Sequence, residues 1–176
     1  MSKPAIFFDR DGTIIEQYPG YLKDPNNVKL IDGVIPALKL FQEEGFLLVI
    51  ISNQSGIGRG LVTKKEANDV HIKLISLLGE EKIKINFSYY CPHKPEDVCH
   101  CRKPSPTMIY SSSIKLDIDL KKSYMIGDQI TDIKSGMYAG CKTVLFNNKL
   151  EDTTSVKPDF MLNSWEEIAY YTMGEF

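Results

Sequence analysis

Residues 5–13 read Ala-Ile-Phe-Phe-Asp-Arg-Asp-Gly-Thr, an apolar run that ends in two acids one residue apart and then a Gly-Thr turn. If strand geometry continues through the acids, its two-residue repeat sends the carboxylates of Asp9 and Asp11 to the same side. Two carboxylates converging at the mouth of a strand repel each other. They call for a hard divalent cation, a shared proton or a role in chemistry. The arrangement points to a Mg²⁺-dependent phosphoryl-transfer site in which an aspartate is the nucleophile.

A second set of chemically able residues follows the pattern Cys91-x-His93-x₅-Cys99-x-Cys101. Three thiolates and one imidazole make a closed tetrahedral Zn²⁺ set with no open position, which marks a structural site. The plainer alternative is a group of free buried cysteines beside an unrelated histidine, and the short span of four soft ligands weighs against it. Such a zinc site would pin an irregular loop and fix where the adjoining Arg102 and Lys103 point. Cys141, alone near an expected strand, reads as a small core residue. His100 reads as a solvated spacer, and His71, inside an expected helix, as a surface or cap residue.

Other polar residues stand where apolar runs stop: Ser52-Asn53-Gln54 after 46–51, and Gly127-Asp128 after 124–126. Taken singly, each has a bland explanation. Asp128 fits a helix or turn cap, and Ser52 fits a turn. Gly56, Gly58 and Gly60 resemble a phosphate loop but lack the Walker pattern. Their joint occurrence, in the order acid pair, Ser, Lys, Gly-Asp, is what carries weight.

The elements that must position these groups alternate. Short continuous apolar runs at 6–9, 46–52, 87–90, 123–127, 143–146 and 159–162 predict strands covered on both faces. Amphipathic stretches at 34–44, 64–78, 106–116, 130–139 and 165–172 predict helices. A Thr63–Glu66 capping box opens the second helix, and Gly45, Gly79 and Gly140 close three of them. This order predicts an α/β fold, a doubly wound, Rossmann-like parallel sheet with helices on both faces. Such sheets bind ligands at the carboxyl ends of their strands. One domain over 1–176 is expected, with no insertion large enough for a mobile cap domain, so the zinc loop and residues 18–24 become the available walls of the site. A net charge of −2 argues against a bulk nucleic-acid binder. The first residues lack the shape of a signal peptide, and the longest apolar run is far short of the ~20 residues that span a bilayer. A cytoplasmic protein with no membrane or nucleic-acid partner is expected. No exposed apolar helix stripe stands out, so a monomer is expected.

Phe-Asp-Arg-Asp-Gly-Thr resembles the first motif of the haloacid dehalogenase superfamily of phosphatases. Ser52, Lys103 and Gly127-Asp128-x-x-x-Asp132 resemble its second, third and fourth motifs. Within the superfamily, residues 5–13, 52–60, 90–93 and 99–104 are similar to the D-glycero-D-manno-heptose 1,7-bisphosphate 7-phosphatase type, with histidinol-phosphate phosphatases as its sister group. The resemblance implies that Asp9 is the nucleophile, Asp11 the acid and base, and Ser52 and Lys103 the stabilisers of phosphate charge. It implies Mg²⁺ held by Asp9, the main-chain carbonyl of Asp11, and Asp128, with Asp132 supporting the metal or orienting Lys103. It also implies a small phosphorylated sugar as substrate, met by Gln17, Tyr18, Gly20, Tyr21, Asn53, Gln54, Ser55, Arg102 and Gln129. Two departures bear on the substrate: Gln129 stands where the heptose type often carries Lys, and the x₅ spacing is closer to the histidinol-phosphate type. Histidinol phosphate and other sugar phosphates are therefore the alternative substrates, and an inactive zinc-stabilised binding module is the alternative class.

Overall fold

A computed structural model describes residues 2–146 and 156–174; residues 1, 147–155 and 175–176 of the expected domain lie outside the described residues. The elements run β1 (Ala5–Phe8), α1 (Val34–Glu43), β2 (Leu47–Asn53), α2 (Ser55–Gly58), α3 (Lys64–Glu80), β3 (Phe87–Cys91), α4 (Thr107–Leu116), β4 (Tyr124–Gly127), α5 (Ile130–Ala139), β5 (Lys142–Phe146), β6 (Phe160–Leu162) and α6 (Trp165–Met173). The six strands form one sheet in the order β3-β2-β1-β4-β5-β6, and every pairing is parallel. The chain winds outward from β1 to β3, then returns to the other side of β1 for β4 to β6. That reversal opens a crevice at the carboxyl ends of β1 and β4, the switch point at which doubly wound sheets bind ligands.

Both faces of the sheet are covered, which is why its strands are continuous apolar runs. Ile6 and Phe8 of β1 pack with Leu48, Ile50, Ile126, Val144 and Trp165 on one face. Ala5 and Phe7 pack with Val49, Ile51, Met125, Met108 and Ile109 on the other. The expected α/β architecture is therefore the one found, and the Thr63–Glu66 capping box is present at α3. No described helix is long and apolar enough to cross a membrane.

One long-range contact ties the last helix to the first acidic motif. Trp165 is fully buried, and its Nε1 donates to the carbonyl of Thr13 at 2.9 Å. The indole thus holds the turn that follows Asp9 and Asp11 from 152 residues away. Trp165→Ala should destabilise the protein by about 3–5 kcal/mol, through the cavity and the unpaired carbonyl. Urea unfolding checks this. A change below about 1 kcal/mol, within the range of a surface substitution, would contradict it.

Candidate active site

The centre of the site is a buried lysine. Lys103 is 2% exposed, and its Nζ lies 2.7 Å from Asp132 Oδ1 and 2.9 Å from Asp9 Oδ1, and donates to the Ile51 carbonyl at 2.8 Å. Burial alone would lower its pKa, but the charges of Asp132 and Asp9 outweigh burial and raise it, so the ammonium is retained. Burial pushes Asp132 up to about 7, against the pull of Lys103. The lysine reaches this place because Asn53 grips its backbone. The Asn53 Nδ2 donates to the Lys103 carbonyl at 3.1 Å, and its Oδ1 accepts from the Lys103 N–H at 3.0 Å.

Asp132 enters from the first turn of α5 and accepts from the Gln129 N–H at 3.0 Å. A Cβ on Gly127 would lie 2.3 Å from the Asp132 Cβ, which explains the glycine directly before Asp128. Asp128 follows β4, is pushed upward in pKa by burial, and accepts from the Gln129 Nε2 at 2.9 Å. The carboxylates of Asp9, Asp128 and Asp132 lie within 4.8 Å of one another. Asp9 Oδ1 is buried against the Lys103 ammonium. A cluster whose donors are all carboxylate oxygens fits a hard cation such as Mg²⁺.

Asp11 does not join that cluster. β1 ends at Phe8, the backbone turns through Gly12 at φ +78°, and strand alternation no longer applies at positions 9–11. The strand repeat therefore does not set the relation between the two carboxylates, which engage different partners. Asp9 turns to Lys103, whereas Asp11 is paired with Arg10 and accepts from the Gln54 Nε2 at 2.7 Å. Asp11 lines a cleft of about 130 Å³ together with Arg10, Gln17, Tyr18, Gly20, Tyr21, Asn53, Gln54 and Ser55. Ser52 is buried at the end of β2, and its Oγ accepts from the Gln54 Nε2 at 3.0 Å.

The four zinc-type ligands also converge. Cys91 Sγ lies 3.2 Å from Cys101 Sγ, 3.8 Å from Cys99 Sγ and 3.4 Å from His93 Nδ1. Zn–S bonds of about 2.3 Å and a Zn–N bond of about 2.0 Å imply ligand-to-ligand edges of roughly 3.5–3.8 Å. None of the four cysteines is in a disulfide, and Cys141 is a buried core residue that is not one of the four converging ligands, its pKa pushed to about 12 by burial. This cluster can hold zinc.

The profile of the polynucleotide kinase 3 phosphatase family matches residues 4–173. The chain belongs to that family. The D-glycero-beta-D-manno-heptose-1,7-bisphosphate 7-phosphatase of Escherichia coli is 37% identical over 177 residues, covering 95% of this chain and 92% of its own length. The corresponding Yersinia pestis enzyme is 35% identical over 177 residues, covering 95% and 94%. The crystal structure of D,D-heptose 1.7-bisphosphate phosphatase from B. bronchiseptica, complexed with magnesium and phosphate, superposes with a TM-score of 0.90 at 26% identity, covering 98% and 99% of the two chains. The haloacid dehalogenase resemblance read from the motifs therefore holds, and the chain is a phosphatase.

The structure gives several expected residues definite partners. Arg102, directly before Lys103, donates from Nη1 to the His93 carbonyl at 3.2 Å. The zinc loop packs against α2. The Gly58 N–H bonds to the Pro92 carbonyl at 2.8 Å, and a Cβ at Gly58 would meet that oxygen and the Lys94 nitrogen at 2.8 Å. Gly58 thus serves the close packing of α2 on the zinc loop, whereas a Cβ at Gly56 would meet Tyr21 and Val62. Gln129 adjoins the carboxylate cluster, bonded to Asp128. His71 is half-buried and faces Arg10, Ser52 and Gln54 rather than solvent alone; burial and then the Arg10 charge lower its pKa. The residue that sequence reasoning missed is Arg10, although a cation between two acids was itself the available signal. Chelation that removes zinc should lower the melting temperature by more than about 5 °C, since each kcal/mol moves a chain of this size by roughly 2–4 °C. It should raise KM while leaving the Mg²⁺ requirement in place. An unchanged melting curve after verified zinc loss would contradict the structural role.

Proposed function

We propose that this phosphatase removes the 7-phosphate of D-glycero-D-manno-heptose 1,7-bisphosphate. The observation that carries the reading is a complete phosphoryl-transfer constellation, Asp9, Asp128, Asp132 and Lys103, in a chain that aligns with two heptose bisphosphate phosphatases over at least nine-tenths of both lengths. Asp9 attacks phosphorus as the sugar oxygen leaves, giving an aspartyl-phosphate. Asp11 protonates the departing oxygen. It then takes a proton from the water that attacks the aspartyl-phosphate, releasing inorganic phosphate and restoring Asp9. Ser52 and Lys103 stabilise charge on the equatorial oxygens. Asp9, the Asp11 main-chain carbonyl and Asp128 would hold Mg²⁺, with Asp132 directing Lys103. When bound, Mg²⁺ would offset the repulsion between an anionic carboxylate and an anionic phosphate.

The cleft beside Asp11 supports a small polar substrate. Its walls carry Gln17, Tyr18, Gly20, Tyr21 and Ser55, side chains and backbone suited to sugar hydroxyls. The family description also names a polynucleotide phosphatase, so a 3′-phosphorylated nucleic acid is the competing substrate. A net charge of −2 disfavours it, because nucleic-acid affinity rests largely on phosphate neutralisation by Lys and Arg. The reading includes a monomer working in the cytoplasm, with no nucleic-acid or membrane partner.

Initial rates of Mg²⁺-dependent phosphate release test the substrate. The panel is both anomers of the heptose bisphosphate, its 1-phosphate, fructose 1,6-bisphosphate, histidinol phosphate and a 3′-phosphorylated oligonucleotide. One heptose bisphosphate anomer should lead by at least ~100-fold in kcat/KM, which is ~2.7 kcal/mol of transition-state discrimination. Uniformly slow rates would reject the heptose assignment. Asp9→Asn should abolish turnover, and Asp11→Asn should lower it by roughly 10²–10⁴-fold. Turnover by Asp9→Asn near the wild-type rate would remove the nucleophile assignment.

A further inference from the structure

Arg10 has a buried charge that the phosphoryl chemistry above leaves unused. It is 5% exposed, which makes its guanidinium expensive unless its hydrogen bonds are well placed. Among the described residues, those bonds go to the cleft. Its Nε and Nη2 each donate to the Asp11 carboxylate at 3.1 Å, and Nη2 also donates to the Gln54 Oε1 at 3.0 Å. This contact fixes the Gln54 amide. With Oε1 facing Arg10, Nε2 faces Asp11 at 2.7 Å and Ser52 Oγ at 3.0 Å. The result is a closed triangle, Arg10 to Asp11, Arg10 to Gln54 and Gln54 to Asp11, with one branch to Ser52.

We infer that Arg10 and Gln54 are positioning residues for Asp11, a role that rests on the acid–base assignment proposed for that residue. Asp11 sits on a turn rather than a strand, so the backbone alone does not aim its carboxylate. Two donors from a planar fork and one from an amide hold the carboxylate in one orientation at the edge of the cleft. Proton transfer needs the carboxyl within about 2.6–3.2 Å of the leaving oxygen, and a misplacement of about 1 Å can cost roughly 100-fold. The branch to Ser52 sets the acid and a phosphate-contacting hydroxyl in register through a single amide. Gln54, expected to bind substrate, lines the cleft and has both ends of its amide engaged within the protein.

The test uses the dependence of kcat/KM on leaving-group pKa over a series of substituted phenyl phosphates. That parameter reports phosphoryl transfer to Asp9, and only poor leaving groups need a proton from Asp11. Three variants are compared with wild type: Asp11→Asn, Arg10→Lys, which keeps a charge but not the fork, and Gln54→Leu. Both positioning variants should steepen the dependence in the direction of Asp11→Asn. The loss should be under roughly 5-fold for nitrophenyl phosphate and at least roughly 30-fold for phenyl phosphate, within the range of general acid catalysis. A merely structural role lowers every substrate equally and leaves the slope alone. If Arg10→Lys does not fold, Gln54→Leu decides alone. A steeper slope in Asp11→Asn with a wild-type slope in the positioning variants overturns this inference and keeps the acid assignment. A wild-type slope in Asp11→Asn overturns both.

Discussion

The ammonium of Lys103, held between Asp9 and Asp132 with no access to water, is the constraint on which the rest of the structure depends. A lone buried cation of this kind is untenable, and removing one partner of such a set typically costs about 3–5 kcal/mol. Each neighbour reaches it from a different part of the chain. Asp9 comes from the end of β1, Asp132 from the start of α5, and the Ile51 carbonyl from β2. Because β1 lies between β2 and β4, the doubly wound order delivers all three to one crevice. Fold and site are thus coupled by electrostatics as well as by burial.

The lysine itself arrives on a segment with no regular structure to carry it. Two devices compensate. The Cys91, His93, Cys99 and Cys101 cluster gathers the loop two residues before Lys103, and Asn53 binds the lysine backbone through reciprocal hydrogen bonds. The loop is in turn drawn onto α2 by the Gly58 to Pro92 bond. Zinc held by this cluster would act through the placement of a cation, since four protein ligands leave no position for substrate.

The strands and helices were legible because burial on both sheet faces leaves uninterrupted apolar runs, and caps such as Thr63–Glu66 mark helix starts. Asp9, Ser52 and Asp128 were legible because they stand where those runs stop, and Lys103 because it follows the cysteine loop. What the sequence did not disclose was side-chain direction beyond the strand ends. The repeat of two does not reach Asp11 because β1 stops at Phe8, and the acid pair splits between two networks. The motif positions of Arg102 and Gln129 did not reveal their partners in the fold, the His93 carbonyl and the Asp128 carboxylate. Arg10 was invisible for a related reason. Its importance lies in three hydrogen bonds, two of them to its immediate neighbour, which no periodicity reveals.

The central claim is that Asp9 takes the phosphoryl group before water does. The stereochemical course at phosphorus tests it most directly. Hydrolysis of a chiral, oxygen-isotope-labelled thiophosphate monoester by the Mg²⁺-loaded enzyme yields inorganic thiophosphate whose configuration can be read. Two successive in-line displacements, first by Asp9 and then by water, predict net retention. Net inversion would show a single direct attack by water and would contradict the account.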